Sequence, residues 1–160
     1  MKEKNRIISW FSCGANSAVA TKMTIKKYGL DRVDIVNCDT GGEHPDNVRF
    51  LLDCEEWFGK KITVLKNDKY DDHFDVWEKT GWINGVRGAR CTTELKKVLR
   101  FAYQRIDDIQ VFGYSAEEEH RIERFTNTFP EVITEFPLKI AVYKSRIVLD
   151  CLCRLVLTYP

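Results

Sequence analysis

A run of small and polar residues, Ser12-Cys13-Gly14-Ala15-Asn16-Ser17, follows an apolar segment that ends at Phe11. Small side chains let backbone N–H groups approach an anion closely, and a helix that begins at such a run adds about half a positive charge. These residue types in this place suit a phosphate or sulfate group. The alternative is an ordinary turn between a strand and a helix, and the chemistry of the loop alone leaves both interpretations open.

Other candidate binding residues are spread along the chain. Asp39 follows a second apolar segment, where its carboxylate either orients a ribose or a metal-bound water, or caps the following turn. Basic side chains donate charge-assisted hydrogen bonds to phosphate and sulfate oxygens, although most of them are solvated surface groups. Four are candidates: Arg87, Arg90, Lys96 and Arg121. We take Arg90 and Arg121 as the predicted binding residues of this set.

The sequence does not predict a resident metal. The three histidines show none of the Cys and His spacing of a zinc site. Glu117-Glu118-Glu119 either holds Mg²⁺ together with nucleotide phosphates or places negative charge in the first turn of a helix, and the second interpretation is preferred. An iron–sulfur site needs four grouped thiolates, whereas this chain offers one close pair, Cys151 and Cys153.

Length, charge and cysteine usage limit the class of protein. A chain of 160 residues fits one domain, so we expect a single domain over residues 1–160. The formal net charge of +1 provides no global field for nucleic acid or anionic lipid, so an anion site must be local. No apolar run approaches the roughly 20 residues of a membrane helix. The six cysteines are scattered through predicted strands and helices, which indicates reduced thiols and a cytoplasmic protein.

The elements that would position these residues alternate along the chain, which implies a parallel sheet with right-handed crossovers. The predicted strands are Ile7 to Phe11, Val33 to Cys38, Lys61 to Leu65, Ile109 to Gly113 and Glu131 to Phe136. The predicted helices are Ser17 to Tyr28, one that opens at Pro45, Phe74 to Glu78, Thr92 to Arg105, and Tyr143 to Leu155. The apolar face of the helix that opens at Pro45 consists of Val48, Leu51, Leu52 and Phe58. The apolar face of the helix from Thr92 to Arg105 consists of Leu95, Val98, Leu99, Ala102 and Ile106. Because ligands of parallel sheets bind at the carboxyl edge, the loop after the first strand lies at the predicted site.

The loop resembles that of the PP-loop superfamily of adenine nucleotide α-hydrolases, which reads Ser-Gly-Gly-x-Asp-Ser after a strand of the Trp-Phe-Ser type. Three positions agree: Ser12, Gly14 and Ser17. Cys13 replaces a glycine, Asn16 replaces the aspartate, and Ala15 stands at the variable position that is often lysine.

Three further segments are similar to phosphoadenosine phosphosulfate (PAPS) reductases and to the reductase-like proteins often carried by phages. Residues 37–45 resemble the Asp-Thr-Gly-x-x-x-Pro segment, residues 87–96 the Arg/Cys-rich start of a helix that carries a lysine, and residues 112–121 the Gly-x-Arg-x-x-Glu-Ser-x-x-Arg region. The resemblance adds these nucleotide-binding positions to the loop: Asp39, Gly41, Arg90, Gly113 and Arg121.

The resemblance implies an α/β fold of the Rossmann-like, adenine nucleotide α-hydrolase type, with five parallel strands and helices on both faces. It implies an enzyme that binds ATP or PAPS at the Ser12–Ser17 loop and either reduces PAPS or cleaves ATP between the α and β phosphates, with transfer of AMP to an acceptor. Asp39 and Asn16 are the implied catalytic residues.

Two alternatives remain beside the enzyme. Asn16 keeps hydrogen-bonding capacity but lacks the family's charge, which favours a nucleotide-binding module without turnover, as a sequesterer or as a subunit of a homodimer or larger complex. A structural domain without a ligand fits only if the resemblance is accidental. The expected partner of the site is in each functional case a small-molecule nucleotide.

The reductases attack sulfur with a thiolate in a C-terminal Glu-Cys-Gly-x-x-His type segment, which this sequence does not match before Pro160. Cys151 and Cys153 stand among leucines, where burial raises a thiol's pKa. We therefore expect that the chain by itself does not reduce PAPS with thioredoxin. Cys13 and Cys91 lie nearer the predicted cleft and are the exceptions among the cysteines.

Overall fold

Five parallel strands form the central sheet of the computed structural model, which describes residues 5–86, 88–141, 146, 148 and 150. The strands are β1 (Ile7–Trp10), β2 (Val33–Cys38), β3 (Thr63–Leu65), β4 (Ile109–Phe112) and β5 (Ile133–Glu135). Their order across the sheet is β3-β2-β1-β4-β5. Each overlaps a strand predicted from sequence, and the predicted five-stranded parallel sheet is confirmed.

The centre of the sheet is β1, which pairs with β2 on one side and β4 on the other. Ile7 lies opposite Val33 in β2 and opposite Ile109 in β4. Ile7 and Ile8 point to opposite faces of the sheet, and both are fully buried. Burial on both faces is why the central strands β1, β2 and β4 read in the sequence as short, mainly apolar runs.

Seven α-helices and one π-helical turn are present in the described part of the chain. The helices are α1 (Ala15–Tyr28), α2 (Asp46–Phe58), α3 (His73–Thr80), α4 (Arg90–Thr92), α5 (Val98–Tyr103), α6 (Glu119–Thr128) and α7 (Pro137–Ile140), with 3₁₀ turns at Leu30–Arg32 and Ala116–Glu118. The π turn, Thr93–Lys97, joins α4 to α5, and the Val98 N–H donates to the Thr93 carbonyl. None of these helices is both long enough and apolar enough to cross a membrane. Most of the helix predicted from Tyr143 to Leu155, including Cys151 and Cys153, lies outside the described residues.

Helices cover both faces of the sheet, as predicted. On one face α1 and α2 complete a buried cluster that includes Ile7, Ala18 and Phe58. On the other face Phe112 of β4 packs with Ile122 of α6. After β1 the chain continues to β2 on one side of the sheet, and after β4 it continues to β5 on the other side. The boundary between β1 and β4 is therefore a topological switch point of the sheet.

The predicted apolar faces of two helices are partly wrong. Five residues predicted on the apolar faces are exposed. Val48, Leu52, Val98 and Ile106 have exposures of 65%, 54%, 44% and 82%, and Ala102 is exposed as well. In the helix predicted from Thr92 to Arg105, Leu95 is buried as predicted. The π turn that starts just before it has i→i+5 hydrogen bonds, so the 3.6-residue period used for the prediction does not continue into α5. Residues of α5 are thereby rotated relative to the expected face.

Candidate functional site

A cleft of about 530 Å³ opens at the carboxyl edge of the sheet, at the switch point between β1 and β4. Phe11 and Ser12 line it from the end of β1, and Gly113 and Tyr114 line it from the end of β4. This is the position at which open parallel sheets bind their ligands. The loop singled out in the sequence therefore lines a cleft at this edge of the sheet.

The loop is held in shape by the hydroxyl of Ser17, which is 5% exposed. Its Oγ accepts hydrogen bonds from the N–H groups of Ser12 at 3.1 Å and Gly14 at 3.3 Å, and donates to the Gly14 carbonyl at 2.8 Å. The hydroxyl of Ser17 therefore makes its hydrogen bonds within the loop. The side chain of Ser17 fixes the loop backbone, and the predicted contact of Ser17 with the phosphates stays a prediction.

The start of α1 presents backbone donors to the cleft. Gly14 is the N-cap residue, and the first N–H with an intrahelical acceptor is that of Ala18, which donates to the Gly14 carbonyl at 3.0 Å. The N–H groups of Ala15, Asn16 and Ser17 consequently have no acceptor within the helix. Together with the helix dipole they form the type of N-terminus that binds anions.

The side chain of Asn16 lines the cleft, and no described residue forms a hydrogen bond with its amide. Gly113 lines the cleft beside it and has no room for a β-carbon against the backbone of Ser17. The predicted positions Ser12, Gly14, Asn16 and Gly113 are thus brought together around one space. Their roles in binding remain predictions.

Cys13 adopts a backbone conformation that glycine usually supplies, with φ at +53°. Its thiol packs against the core cluster below the loop, and the Asn37 amide donates to its sulfur at 3.6 Å. The left-handed conformation explains physically why the resembling family has glycine at this point. Cys13 contributes its backbone to the loop, whereas its side chain faces the core.

Positive charge concentrates in the cleft walls. Four basic residues line it, namely Lys96, Lys97, Arg100 and Arg121, against one carboxylate, that of Glu118. Lys96 Nζ lies 3.8 Å from Glu43 Oε1. Arg121 forms an ion pair with Glu118, and its guanidinium stacks over the Tyr114 ring at 4.5 Å. The formal net charge of the whole chain is only +1, so the positive charge around the cleft is a local concentration, as expected of an anion site from the sequence.

Five predicted binding residues do not line the cleft: Cys13 and Ala15 of the loop, and Asp39, Gly41 and Arg90 elsewhere in the chain. Asp39 Oδ1 accepts a hydrogen bond from the Gly41 N–H at 2.8 Å, which is the turn-capping role that the sequence left open. Gly41 has φ at +69°, and a β-carbon there would lie 1.8 Å from the Asp71 carbonyl oxygen, so packing requires a glycine. Arg90 pairs with Glu94 of the π turn at 2.7 Å, and 48% of its side chain is exposed. Arg87 lies outside the described residues.

Sequence reasoning missed Lys97 and Arg100 as cleft residues. A helical period of 3.6 places residues 96 and 97 about 100° apart, whereas the wider π turn brings neighbouring residues closer to one face. Arg100 interrupts an otherwise apolar helix surface. A basic residue among Val98, Leu99 and Ala102 was the available signal, and from the sequence Arg100 was assigned no role.

Two cysteines near the cleft, Cys13 and Cys38, are poor nucleophiles at neutral pH. Burial raises the pKa of Cys13 to about 11 and that of Cys38, which lines the cleft, also to about 11. A thiolate is the reactive form of cysteine, so neither thiol is activated in this structure. Among the described residues, no three His, Cys, Asp or Glu side chains converge as metal ligands.

Comparisons with known proteins identify the fold. No family model matches the sequence. Over 78 residues, 49% of the chain, it is 33% identical to an uncharacterized protein of Methanocaldococcus jannaschii, of which it covers 15%. The structure is similar to the U34-tRNA thiolase NcsA from Methanococcus maripaludis, solved with its [4Fe-4S] cluster. The TM-score is 0.66 and the identity 18%, and the match covers 99% of this chain and 60% of that one. The chain therefore spans less than two thirds of either protein, and the Rossmann-like α/β fold is what the structural likeness establishes.

Proposed function

We propose that the chain is an adenine-nucleotide-binding domain of the PAPS reductase or ATP pyrophosphatase type, which binds the phosphates or sulfate of ATP or PAPS at the Ser12–Ser17 loop. The observation that carries the proposal is the N-terminus of α1, where Gly14, Asn16 and Ser17 line a basic cleft at the switch point of the sheet and the first N–H groups have no acceptor within the helix. A phosphate placed there accepts backbone hydrogen bonds and lies at the positive end of the helix dipole.

The positive cleft supports a ligand with several negative charges. Lys96, Lys97 and Arg121 line the cleft together with Arg100, and the cleft contains one carboxylate, already paired with Arg121. The aromatic residues Trp10, Phe112 and Tyr114 line the same space, so a base has flat apolar surfaces to contact. A nucleotide combines these two chemistries.

The loop differs from an active phosphate loop in ways that favour the second candidate, a nucleotide-binding module without turnover. Asn16 supplies an uncharged amide where the resembling family has a carboxylate, and the Cys13 and Cys38 thiols are protonated at neutral pH. In this case the cleft binds the nucleotide and the chain acts as a sequesterer or as a subunit of a larger complex in the cytoplasm.

Thermal shift with ATP, ADP and PAPS tests the proposal. A ligand at a hundredfold excess over its dissociation constant stabilises the folded state by about 2.7 kcal/mol, so at least one of the three should raise the melting temperature. Gly14→Val should abolish the shift, because its side chain would occupy the space of the anion. Gly14 has φ −119° and ψ 156°, which valine adopts readily, and a β-carbon would meet the Ser12 Oγ at an ordinary 3.8 Å.

The control is Ala102→Val, which also introduces a valine, at an exposed position of α5 outside the cleft, and should keep the full shift. A Gly14→Val protein that folds and binds as well as the wild type would refute the loop assignment. Release of pyrophosphate from ATP or sulfite from PAPS would then distinguish an enzyme from a binding module.

A further inference from the structure

Arg100 is a cation in the cleft wall that no described residue neutralises. Its guanidinium has no hydrogen-bond or ion-pair partner in the described part of the chain, and its Nε is shielded from solvent without an acceptor. Leaving a buried charged donor unpaired is costly, because the group loses its hydration and gains no bond in exchange. An unpaired arginine beside a ligand cleft therefore indicates an acceptor supplied by the ligand.

Phenylalanine rings surround the Arg100 guanidinium and attract its positive charge, but they supply no hydrogen-bond acceptor. Its Cζ lies 4.7 Å from the ring centroid of Phe101, 5.6 Å from that of Phe112, 4.9 Å from that of Phe125 and 5.7 Å from that of Phe129. Ring faces attract a cation, but the in-plane N–H groups still need oxygen acceptors.

The carboxylate of the cleft is not available to Arg100, because Glu118 pairs with Arg121 and accepts a hydrogen bond from the Ser115 N–H at 3.0 Å. Gln104 Oε1, one helical turn from Arg100, is also buried without a partner, yet the two side chains form no hydrogen bond. In the cleft that Arg100 lines, the acceptor for its guanidinium is therefore left to a bound ligand. A planar fork of N–H donors matches the oxygens of a tetrahedral anion.

We propose that Arg100 binds a second tetrahedral anion of the ligand, a phosphate or sulfate group other than the one held at the N-terminus of α1. The proposal rests on the proposed function for the identity of the ligand as a nucleotide. It assigns a second anionic group of that nucleotide to a named residue, since Arg100 comes from α5 whereas the loop lies between β1 and α1. The second group is either part of a 5′-polyphosphate chain or a phosphate on the ribose.

Calorimetric titration with AMP, ATP and adenosine 3′,5′-bisphosphate tests this assignment. Arg100→Met keeps a long apolar side chain against the phenylalanine rings and removes the guanidinium. It should bind AMP within about twofold of the wild type and should lose at least about tenfold in affinity for ATP, for the bisphosphate, or for both. Loss confined to ATP assigns the polyphosphate chain, and loss confined to the bisphosphate assigns the ribose phosphate. Arg124→Met removes an exposed arginine of α6 outside the cleft and should change none of the three affinities by more than about twofold.

The proposal is overturned if Arg100→Met binds all three ligands as the wild type does, or if it loses AMP as strongly as the other two. If the wild type binds no adenine nucleotide, the proposed function fails, and inorganic phosphate decides the role of Arg100 separately. In the Gly14→Val background, which blocks the loop, phosphate should still raise the melting temperature. The Gly14→Val/Arg100→Met protein should lose that shift, and an equal shift in both would contradict the assignment.

Discussion

Gly113, at the end of β4, lies so close to the start of α1 that a β-carbon on it would be 2.6 Å from Ser17 Cα and 2.7 Å from Ser17 N. These are contacts with backbone atoms of a helix, which cannot move aside as a flexible side chain would. The two strands that flank the cleft are therefore linked through this contact, and Gly113 sets how closely the anion-binding end of α1 approaches β4.

Gly113→Ala should destabilise the fold by about 2 kcal/mol, because α1 or β4 must shift to accommodate the methyl group. The measurement is the free energy of unfolding by urea. Gly14→Ala is the matched control, since its added carbon meets only the Ser12 Oγ at 3.8 Å, and it should cost under about 1 kcal/mol. Equal losses in the free energy of unfolding for Gly113→Ala and Gly14→Ala would show that a methyl group at Gly113 is accommodated without strain against Ser17.

The sheet and the place of the cleft could be predicted from the sequence because short apolar runs alternate with helical periods, and the carboxyl edge then brings the loop and Gly113 together. The cleft's cations could not be predicted in full. The π turn at Thr93–Lys97 changes the rotation of the following helix, and its i→i+5 bond leaves no signature in a 3.6-residue pattern. The inward position of Arg100 therefore emerges only from the three-dimensional structure.

The internal bonding of the loop was equally hidden from the sequence. A serine at position 17 reads as a phosphate contact, and only the distances show its hydroxyl bonded to Ser12 and Gly14. Asp39 is a similar case, because its residue type fits both a ligand contact and a turn, and the 2.8 Å bond from the Gly41 N–H favours the turn.

Asp39→Asn and Asp39→Ala separate these two roles. Asparagine keeps an oxygen acceptor for the Gly41 N–H, so Asp39→Asn should retain the nucleotide affinity and the melting temperature of the wild type. Asp39→Ala should lose about 1 kcal/mol of stability with the hydrogen bond. Weaker binding or turnover in Asp39→Asn with unchanged stability would instead restore the catalytic role implied by the resemblance.

Glu118 places a negative charge in the cleft, where it pairs with Arg121. Glu118→Gln keeps an oxygen that can accept from the Ser115 N–H and removes the charge that competes with the ligand for Arg121. We expect the affinity for ATP or PAPS to rise about threefold to tenfold in calorimetric titration at low salt. Weaker binding would show that the carboxylate helps to hold the ligand. Glu123→Gln, an exposed position of α6 outside the cleft, is the control.

Stability at alkaline pH should depend on Cys54, which is 2% exposed. Burial raises the pKa of this thiol from its ordinary value of 9.0 to about 12. Below pH 9 the thiol is protonated in both the folded and unfolded states, so it contributes no pH dependence. Above pH 9 the unfolded chain releases the proton more readily, and stability falls with rising pH toward 12 by up to about 1.4 kcal/mol per pH unit.

Cys54→Ala should therefore unfold more easily at pH 7 and yet lose stability less steeply than the wild type between pH 9.5 and 10.5. Urea titrations at fixed pH values measure the slope. Val33→Ala, which truncates a buried residue of the same cluster without removing a titrating group, should keep the wild-type slope. Parallel slopes for all three proteins would mean that Cys54 does not titrate with an elevated pKa.

Backbone amide shifts during a titration with ATP or PAPS test the central claim most directly, because the claim is that N–H groups at the start of α1 bind the anion. We expect saturable changes in the ¹H–¹⁵N spectrum that are largest for Ala15, Asn16 and Ser17, with smaller changes at Gly113 and Tyr114 across the cleft. The same titration of Gly14→Val should leave these amides unshifted. A spectrum that does not change, or changes concentrated away from the loop and the end of β4, would contradict the account.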